Sequence, residues 1–271
     1  MTVLRRIGVL LTGMAALVAG ASARGDDAAR AALDKARALN RGERHWADRR
    51  QRMTLTIVDR RGSEYQRELE VVSKRVDDDA TRSLMFFHAP AQVAGIGFLQ
   101  WTDPRSDDHQ WLWLPALKRV RQISGGARGE SFVGTDFSYE DLAIMAEAVD
   151  WPEDKAASTR VGEEAVDGVA CDVIELRPTA GADVDYGTVR LWLGRDDQTV
   201  HKFEFRDADG TLAKTLLLSD IRTEKNIPTA HRLEMRNEKT GSHTSVVVSE
   251  LSYDTGIADA EFTQRRLEKG L

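Results

Sequence analysis

Cysteine is nearly absent: the 271 residues contain one, Cys171. A single thiol excludes intramolecular disulfides and two-cysteine redox chemistry. Its setting, Val169-Ala170-Cys171-Asp172-Val173-Ile174, reads as an apolar strand in which the thiol is buried and inert. Long apolar runs are scarce as well. The one uninterrupted run, residues 7–18, falls short of the roughly 20 residues that a membrane span needs, so no membrane anchor is expected. A basic excess is missing: 38 Lys and Arg stand against 44 Asp and Glu, for a net charge of −6. That balance argues against nucleic acid or anionic lipid headgroups as general partners, because both need a net basic surface.

Catalytic signatures are missing too. There is no GxSxG elbow and no GxxxxGK[ST] phosphate cradle, and the six histidines, His45, His88, His109, His201, His231 and His243, are scattered singly. None has a second histidine at helical ligand spacing, so no metal site and no cofactor are expected. Carboxylates are numerous, but none sits in an apolar setting of the kind that raises a pKa for acid catalysis. The chain is therefore read as a non-enzyme. If it were an envelope hydrolase acting on a lipid or glycan, Asp108 and His109, with Asp107 beside them, would be the nominees.

What is present begins with Arg5 and Arg6, the apolar residues 7–18 and the small-residue cleavage site Ala21-Ser22-Ala23. This is the pattern of a Sec signal peptide over residues 1–23, with a periplasmic mature protein. No cysteine follows the apolar run, so bacterial-type lipidation is excluded. Losing Arg5 and Arg6 takes the formal charge from −6 to −8, and removing 23 of the 271 residues leaves 248. That length suits one sizeable core, and residues 24–271 are expected to form a single domain.

Ala29, Ala32, Leu33, Ala36 and Leu39 recur at helical spacing after Asp26-Asp27, and Gly42 ends the run. The apolar face is narrow and mostly alanine, so this helix must lie against something else, and it suits the mouth of a barrel. From residue 51 the period changes to two. Met53, Leu55 and Ile57, then Tyr65, Leu69 and Val71, alternate with polar residues on either side of the Arg61-Gly62 turn, which predicts a hairpin. Residues 84–87 are continuously apolar and predict a strand covered on both faces. Further runs at 161–168, 169–176, 188–193, 200–205, 212–221, 230–235 and 245–251 are separated by Asp167-Gly168, Asp209-Gly210 and Thr240-Gly241. The expected fold is mainly β, an antiparallel meander of about 10–11 strands. Helices are expected at 27–41 and around 139–147 alone.

Residues 95–142 hold Phe98, Trp101, Trp111, Trp113, Phe132, Phe137 and Tyr139, a large share of the aromatic area in about one sixth of the length. This favours an apolar binding surface. A tight turn at Pro115-Ala116 would set Trp113 opposite Lys118 and Trp111 opposite Val120, making one face of a hairpin aromatic. That face would line a cavity, form an exposed patch for a protein partner, or pack as ordinary core with a Trp113–Lys118 cation–π contact. The segment 139–147, with Leu142, Ile144 and Met145 between Gly134 and Pro152, is the expected moving lid. Gly125-Gly126-Ala127-Arg128-Gly129 reads as a hairpin loop or a gate.

The Gly97-Phe98-Leu99 strand, Asp107-Asp108 ahead of Gln110-Trp111-Leu112, and Leu114-Pro115-Ala116-Leu117-Lys118-Arg119-Val120-Arg121 carry a family resemblance. So do Ser131-Phe132, Gly134-Thr135-Asp136-Phe137 and Tyr139-Glu140-Asp141-Leu142, with echoes at Arg41-Gly42, Phe262-Thr263 and Arg265. In these residues the chain resembles the outer-membrane lipoprotein-sorting proteins, the LolA/LolB-like periplasmic carriers. The resemblance implies a half-open antiparallel β-barrel with a helical lid around an apolar cavity, and no enzyme activity. It also implies a lipid, or the acyl chains of a lipoprotein, as cargo, and an inner-membrane transporter of the RND type as partner.

The expected function is that of a monomeric periplasmic carrier. Phe86, Phe98, Trp101, Trp111, Trp113, Val120, Phe132, Phe137, Leu142 and Met145 are its cavity candidates. Lys118, Arg119 and Arg121 are the candidates for meeting a headgroup or locking the lid. The rival reading is an envelope sensor that engages a signalling protein through an outward tryptophan patch.

Overall fold

The computed structural model of the protein describes residues 26–270, so the signal-peptide segment 1–23 lies outside the described residues. Helix α1 (Asp27–Arg41) starts at the Asp26 carboxylate, which accepts the Ala29 N–H at 2.6 Å and, through its other oxygen, the Arg160 N–H at 2.8 Å. One side chain thus caps the helix and ties its first turn to a strand more than a hundred residues away. At the other end the Gly42 N–H returns to the Ala38 carbonyl.

The rest is one antiparallel sheet. Its first arm is β1 (Asp48–Val58), β2 (Glu64–Arg75), β3 (Thr81–Ala89), β4 (Gly97–Thr102), β5 (His109–Leu114) and β6 (Arg119–Ile123). After helix α2 (Tyr139–Glu147) come β7 (Ala156–Val166), β8 (Val169–Pro178), β9 (Thr188–Gly194), β10 (Val200–Arg206), β11 (Leu212–Glu224), β12 (Ile227–Asn237) and β13 (His243–Tyr253), and then the short helix α3 (Gln264–Lys269). The order across the sheet is β6-β5-β4-β3-β2-β1-β13-β12-β11-β10-β9-β8-β7. Every neighbour in it is also a neighbour in sequence except β1 and β13, which pair over ten positions and join the two arms. β6 and β7 do not pair, so the sheet curls without closing.

The mainly β, half-open, antiparallel architecture agrees with the sequence reading, but the strands number 13 instead of 10–11. β4, β5 and β6 are only six, six and five residues long, too short to display a period, and β4 is buried along nearly its whole length. A strand covered on both faces loses the alternation by which strands are recognised.

Two clusters show why. On the concave face Leu55, Leu69, Val71, Phe87, Phe98, Leu112, Phe203, Phe205, Leu216, Met235 and Val246 belong to the main core. On the convex face Val72, Leu84, Phe86, Leu99 and Trp111 pack under Ile257, Phe262 and Leu267 of the C-terminal segment. β3 therefore buries Leu84 and Phe86 outward and Phe87 inward, as its unbroken apolar run predicts. Gly97 makes the outer layer fit, since a Cβ there would overlap Phe86 and Leu267. The C-terminal strap is latched by buried Asp48, whose carboxylate accepts the N–H groups of Thr255, Gly256 and Ile257 and the Thr255 hydroxyl. Burial pushes this carboxyl up, and the donors more than offset it, holding the group below the usual carboxylate range.

Candidate functional site

The concave face encloses a cavity of about 450 Å³. The period-two alternation of the long strands picks out its walls: Met53 and Leu55 from β1, Leu69 and Val71 from β2, Leu218 from β11, Leu233 from β12, and Val246 and Val248 from β13. Among the polar wall groups the Ser73 and Ser83 hydroxyls satisfy each other at 2.9 Å, and the arginines gather toward the mouth. The apolar stretch of wall suits hydrocarbon, because it offers area to an apolar ligand.

One end is plugged. Residues 131–138 fold back on themselves, with Ser131 bridged to Ser138, and carry Phe132 and Phe137 into the cavity. Phe132 packs against Phe87, Phe98 and Tyr139 at ring-centroid separations of 5.7, 5.2 and 5.6 Å. Asp136 then pins this plug to the start of β13, accepting from the Ser242 and Thr244 hydroxyls at 2.5 and 2.7 Å.

Helix α2 turns Leu142, Met145 and Ala146 toward the cavity. The Gln110 amide donates to the Tyr139 carbonyl at 2.8 Å, and Gln100 reaches the Leu142 carbonyl, tying the helix to β4 and β5. On the other arm Asp141 accepts from the Tyr186 hydroxyl at 2.7 Å and from Lys214 of β11 at 2.5 Å. Glu140 accepts the Asp185 N–H at 2.6 Å. Glu147 holds the Trp151 indole N–H at 2.7 Å and the Lys155 ammonium at 2.5 Å. Fastened to one arm by amide hydrogen bonds and to the other by buried carboxylates, α2 acts in this structure as a cross-brace, where its sequence suggests a moving lid.

The opening lies at the opposite end, where β1 and β12 begin and β2, β11 and β13 finish. Ala36 and Asn40 of α1 line it. α1 is held by buried Ala29, Leu33 and Ala36, by Arg37, which donates to the carbonyls of Val149 at 2.7 Å and Trp151 at 2.9 Å, and by the Asp26 tie and the Arg30–Glu153 and Arg41–Asp79 ion pairs at its two ends. Beside α1 stand Arg44, Trp46, Arg49 and Arg75, which also line the opening.

The sequence-derived candidates separate accordingly. Phe132, Phe137, Leu142 and Met145 line the cavity, and Phe98 lies behind Phe132 in the same core. Phe86, Trp101, Trp111, Trp113 and Val120 stand on the other face of the sheet, under the C-terminal segment, and this corrects their assignment to the cavity. Trp101 and Trp111 pack edge to face at 5.0 Å, and the Trp101 indole donates to the Phe262 carbonyl at 3.1 Å. The tryptophans are therefore covered by the chain itself and are not a free outward patch. The hairpin register also differs from the expected one. Trp113 faces Val120 and Trp111 faces Gln122, because residues 115–117 form a 3₁₀ turn closed by Lys118 in the left-handed conformation.

Lys118, Arg119 and Arg121 are exposed at the β5–β6 end, remote from the opening, with Arg121 paired to Glu130 at 3.4 Å. None of the three lines the cavity, and Arg121 stands near Tyr139 at the start of α2. Arg128 is instead buried, paired with Asp183 at 2.6 Å and Asp108 at 3.5 Å. The nominated pair Asp108 and His109 diverge. Asp108 is buried near Arg128, while His109 is exposed and stacks on Trp111 at 5.8 Å.

Burial pushes the Asp108 carboxyl up, with Glu147 adding to it, and pushes Glu140 up to about 7. A carboxyl raised on folding contributes stability that is complete below its unfolded value and is lost as pH rises through the folded one. Stability should therefore fall between about pH 4.5 and pH 7–8, by up to about 3 kcal/mol from Glu140. Chemical denaturation at pH 5 and pH 8 checks this, and Glu140→Gln should flatten the difference.

Comparisons with known proteins agree with this architecture. A family model described as "uncharacterized protein" matches residues 79–269. No curated protein sequence matches the chain. Among solved structures, a DUF1329 family protein from Desulfovibrio piger is 29% identical with a TM-score of 0.80, over 89% of this chain and 100% of that one. A domain from Vibrio parahaemolyticus, described as an outer membrane lipoprotein-sorting protein, is 29% identical with a TM-score of 0.78, over 89% and 99%. A LolA superfamily protein from Nitrosomonas europaea, 18% identical with a TM-score of 0.65 over 88% and 98%, shares the fold.

Proposed function

The chain belongs to the family matched over residues 79–269 and has the LolA-like fold, and on that footing we propose that it is a periplasmic lipid carrier. In this reading residues 1–23 direct Sec export, and residues 24–271 act as a single, monomeric, non-enzymatic domain. The cargo is a lipid or the acyl chains of a lipoprotein. It is received from, or handed to, a membrane partner such as an inner-membrane transporter of the RND type. The observation that carries the reading is the cavity of about 450 Å³, mostly apolar along its walls, plugged at one end and bordered at the other by α1. Burying an acyl chain contributes about 0.8 kcal/mol per methylene, so a carrier needs apolar area more than catalytic groups.

Release needs an opening, and α1 is the element that borders one. Its buried face is two alanines and one leucine, against the several buried charges that hold α2. Arg37→Ala should loosen α1 without unfolding the sheet, raising hydrogen exchange of the α1 amides about tenfold or more for the two lost hydrogen bonds. Exchange mass spectrometry, with the β1 and β13 amides as the unchanged reference, measures this.

The carrier reading is tested by native mass spectrometry and lipid extraction on protein purified from the periplasm of its own host without detergent. A discrete added mass of an amphiphile is the expected result. A clean apo mass, unchanged after incubation with host lipids, would overturn it.

A further inference from the structure

The mouth of the cavity is cationic where its walls are apolar. Arg49 stands opposite Ser73 in the β1–β2 pairing, so Arg75 is its diagonal neighbour on the same, cavity-lining face. Both guanidiniums lie over the ring of Trp46, 5.0 and 5.2 Å from its centroid, so the one indole holds both at the mouth. Arg44 lines the same opening from the α1–β1 connection.

Neither Arg49 nor Arg75 forms an ion pair among the described residues. Among the described residues, Arg49 Nε and Arg75 Nε are buried without a hydrogen-bond partner. Arg75 donates once, to the Asp78 carbonyl oxygen at 3.1 Å. Three carboxylates, Asp150, Asp78 and Asp79, lie near enough to act on Arg75 without pairing with it; Asp150 lies 3.8 Å from Arg41, and Asp79 pairs with Arg41 and with Arg105. Burial pushes the Arg75 guanidinium below its ordinary value, with Asp150, Asp78 and Asp79 acting against that shift and Arg49 adding to it. Two like charges gathered on one indole, with donors left unmade, constitute a site complete only when an anion arrives.

We infer that this mouth binds the oxyanion head, a phosphate or carboxylate, of an amphiphile whose apolar part lies in the cavity with its far end toward Phe132. The inference rests on the carrier reading and adds the class and direction of the cargo. A forked guanidinium matches the paired oxygens of such a head, and Arg49 and Arg75 together present two forks. From Arg49 to Leu55 the β1 backbone runs roughly 20 Å at ~3.3 Å per residue, so head and tail subsites are separated along one strand.

The test is displacement of the neutral, environment-sensitive dye N-phenyl-1-naphthylamine by three ligands with the same tail: dodecyl phosphate, dodecanol and dodecyltrimethylammonium. Dodecyl phosphate should bind about tenfold or more tighter than dodecanol, and the cationic ligand weakest of the three. Arg49→Gln and Arg75→Gln, made singly, should each remove most of that preference while dodecanol affinity stays within about twofold, which also reports that the variants fold. Equal binding of dodecyl phosphate and dodecanol would overturn the headgroup site and leave the carrier reading standing. Failure of dye and all three ligands to bind would overturn both. Displacement of dodecyl phosphate by an equal concentration of inorganic phosphate would mark a free-anion site and overturn the amphiphile assignment.

Discussion

Replacing Asp141 with alanine is expected to cost about 3–5 kcal/mol of stability, the largest effect of any single substitution considered. Asp141 is fully buried and serves three partners at once. It accepts the Ser138 N–H at 2.7 Å to complete a capping box, the Tyr186 hydroxyl at 2.7 Å, and the Lys214 ammonium at 2.5 Å. Alanine would leave Lys214 charged and largely buried with no carboxylate, the Tyr186 hydroxyl unpaired, and α2 without half of its cap. Because α2 braces the two arms of the open sheet, the loss should also widen the cavity. Urea denaturation followed by tryptophan fluorescence measures the cost. A change below about 1 kcal/mol would mean that the sheet keeps its curvature without this brace. Lys214→Met in the same background should recover part of the loss, since it removes the stranded charge.

Filling the cavity should separate binding from stability. Met53→Trp and Leu218→Trp each place an indole into the enclosed space from opposite arms of the sheet. Both side chains are only partly buried, because they border that space, so the penalty for overpacking should stay near 1–3 kcal/mol. Affinity for a twelve-carbon amphiphile should fall about tenfold or more as the methylenes lose their room. A titration with unchanged affinity in both variants would place the cargo outside the cavity.

The two arms were unevenly legible in the sequence. β1, β2 and β7 to β13 run seven to thirteen residues, and their alternation and intervening Gly turns announce them. α1 was readable from its alanine face with Asp26 and Gly42 at its ends, and α2 from Leu142, Ile144 and Met145 between Gly134 and Pro152, while its Ser138 cap was not read. The wall residues followed from alternation, since Leu55, Leu69 and Val71 fall on the face opposite Thr54, Glu68 and Glu70. The tryptophans misled. A hairpin with an aromatic face declares that the face is covered, but not by what, and here the cover is the C-terminal strap.

The arginines at the mouth were harder still. Arg44, Trp46, Arg49 and Arg75 sit among many charged residues with no spacing to set them apart. The signal that could have found them is a lone Trp46 between two arginines just before a strand, in a chain whose mature charge is negative. Lys118, Arg119 and Arg121 drew attention as a run, yet a run of exposed charges on a short edge strand is ordinary solvation.

By itself the sequence determined the periodicities, and through them a mainly antiparallel sheet with one apolar face, two of the three helices, and the absence of motifs for metal, cofactor or hydrolytic chemistry. Those are local properties, since the side-chain period along a strand and the caps of a helix depend on neighbours a few residues away. Only the tertiary structure decided that β1 and β13 meet, that β6 and β7 stay apart, that α2 braces and α1 covers, and which tryptophans lie outside the sheet. The physical reason is that each of these depends on contacts between residues far apart in the chain: Lys214 with Asp141, Asp48 with residues 255–257, and Arg75 with Arg49 across Trp46.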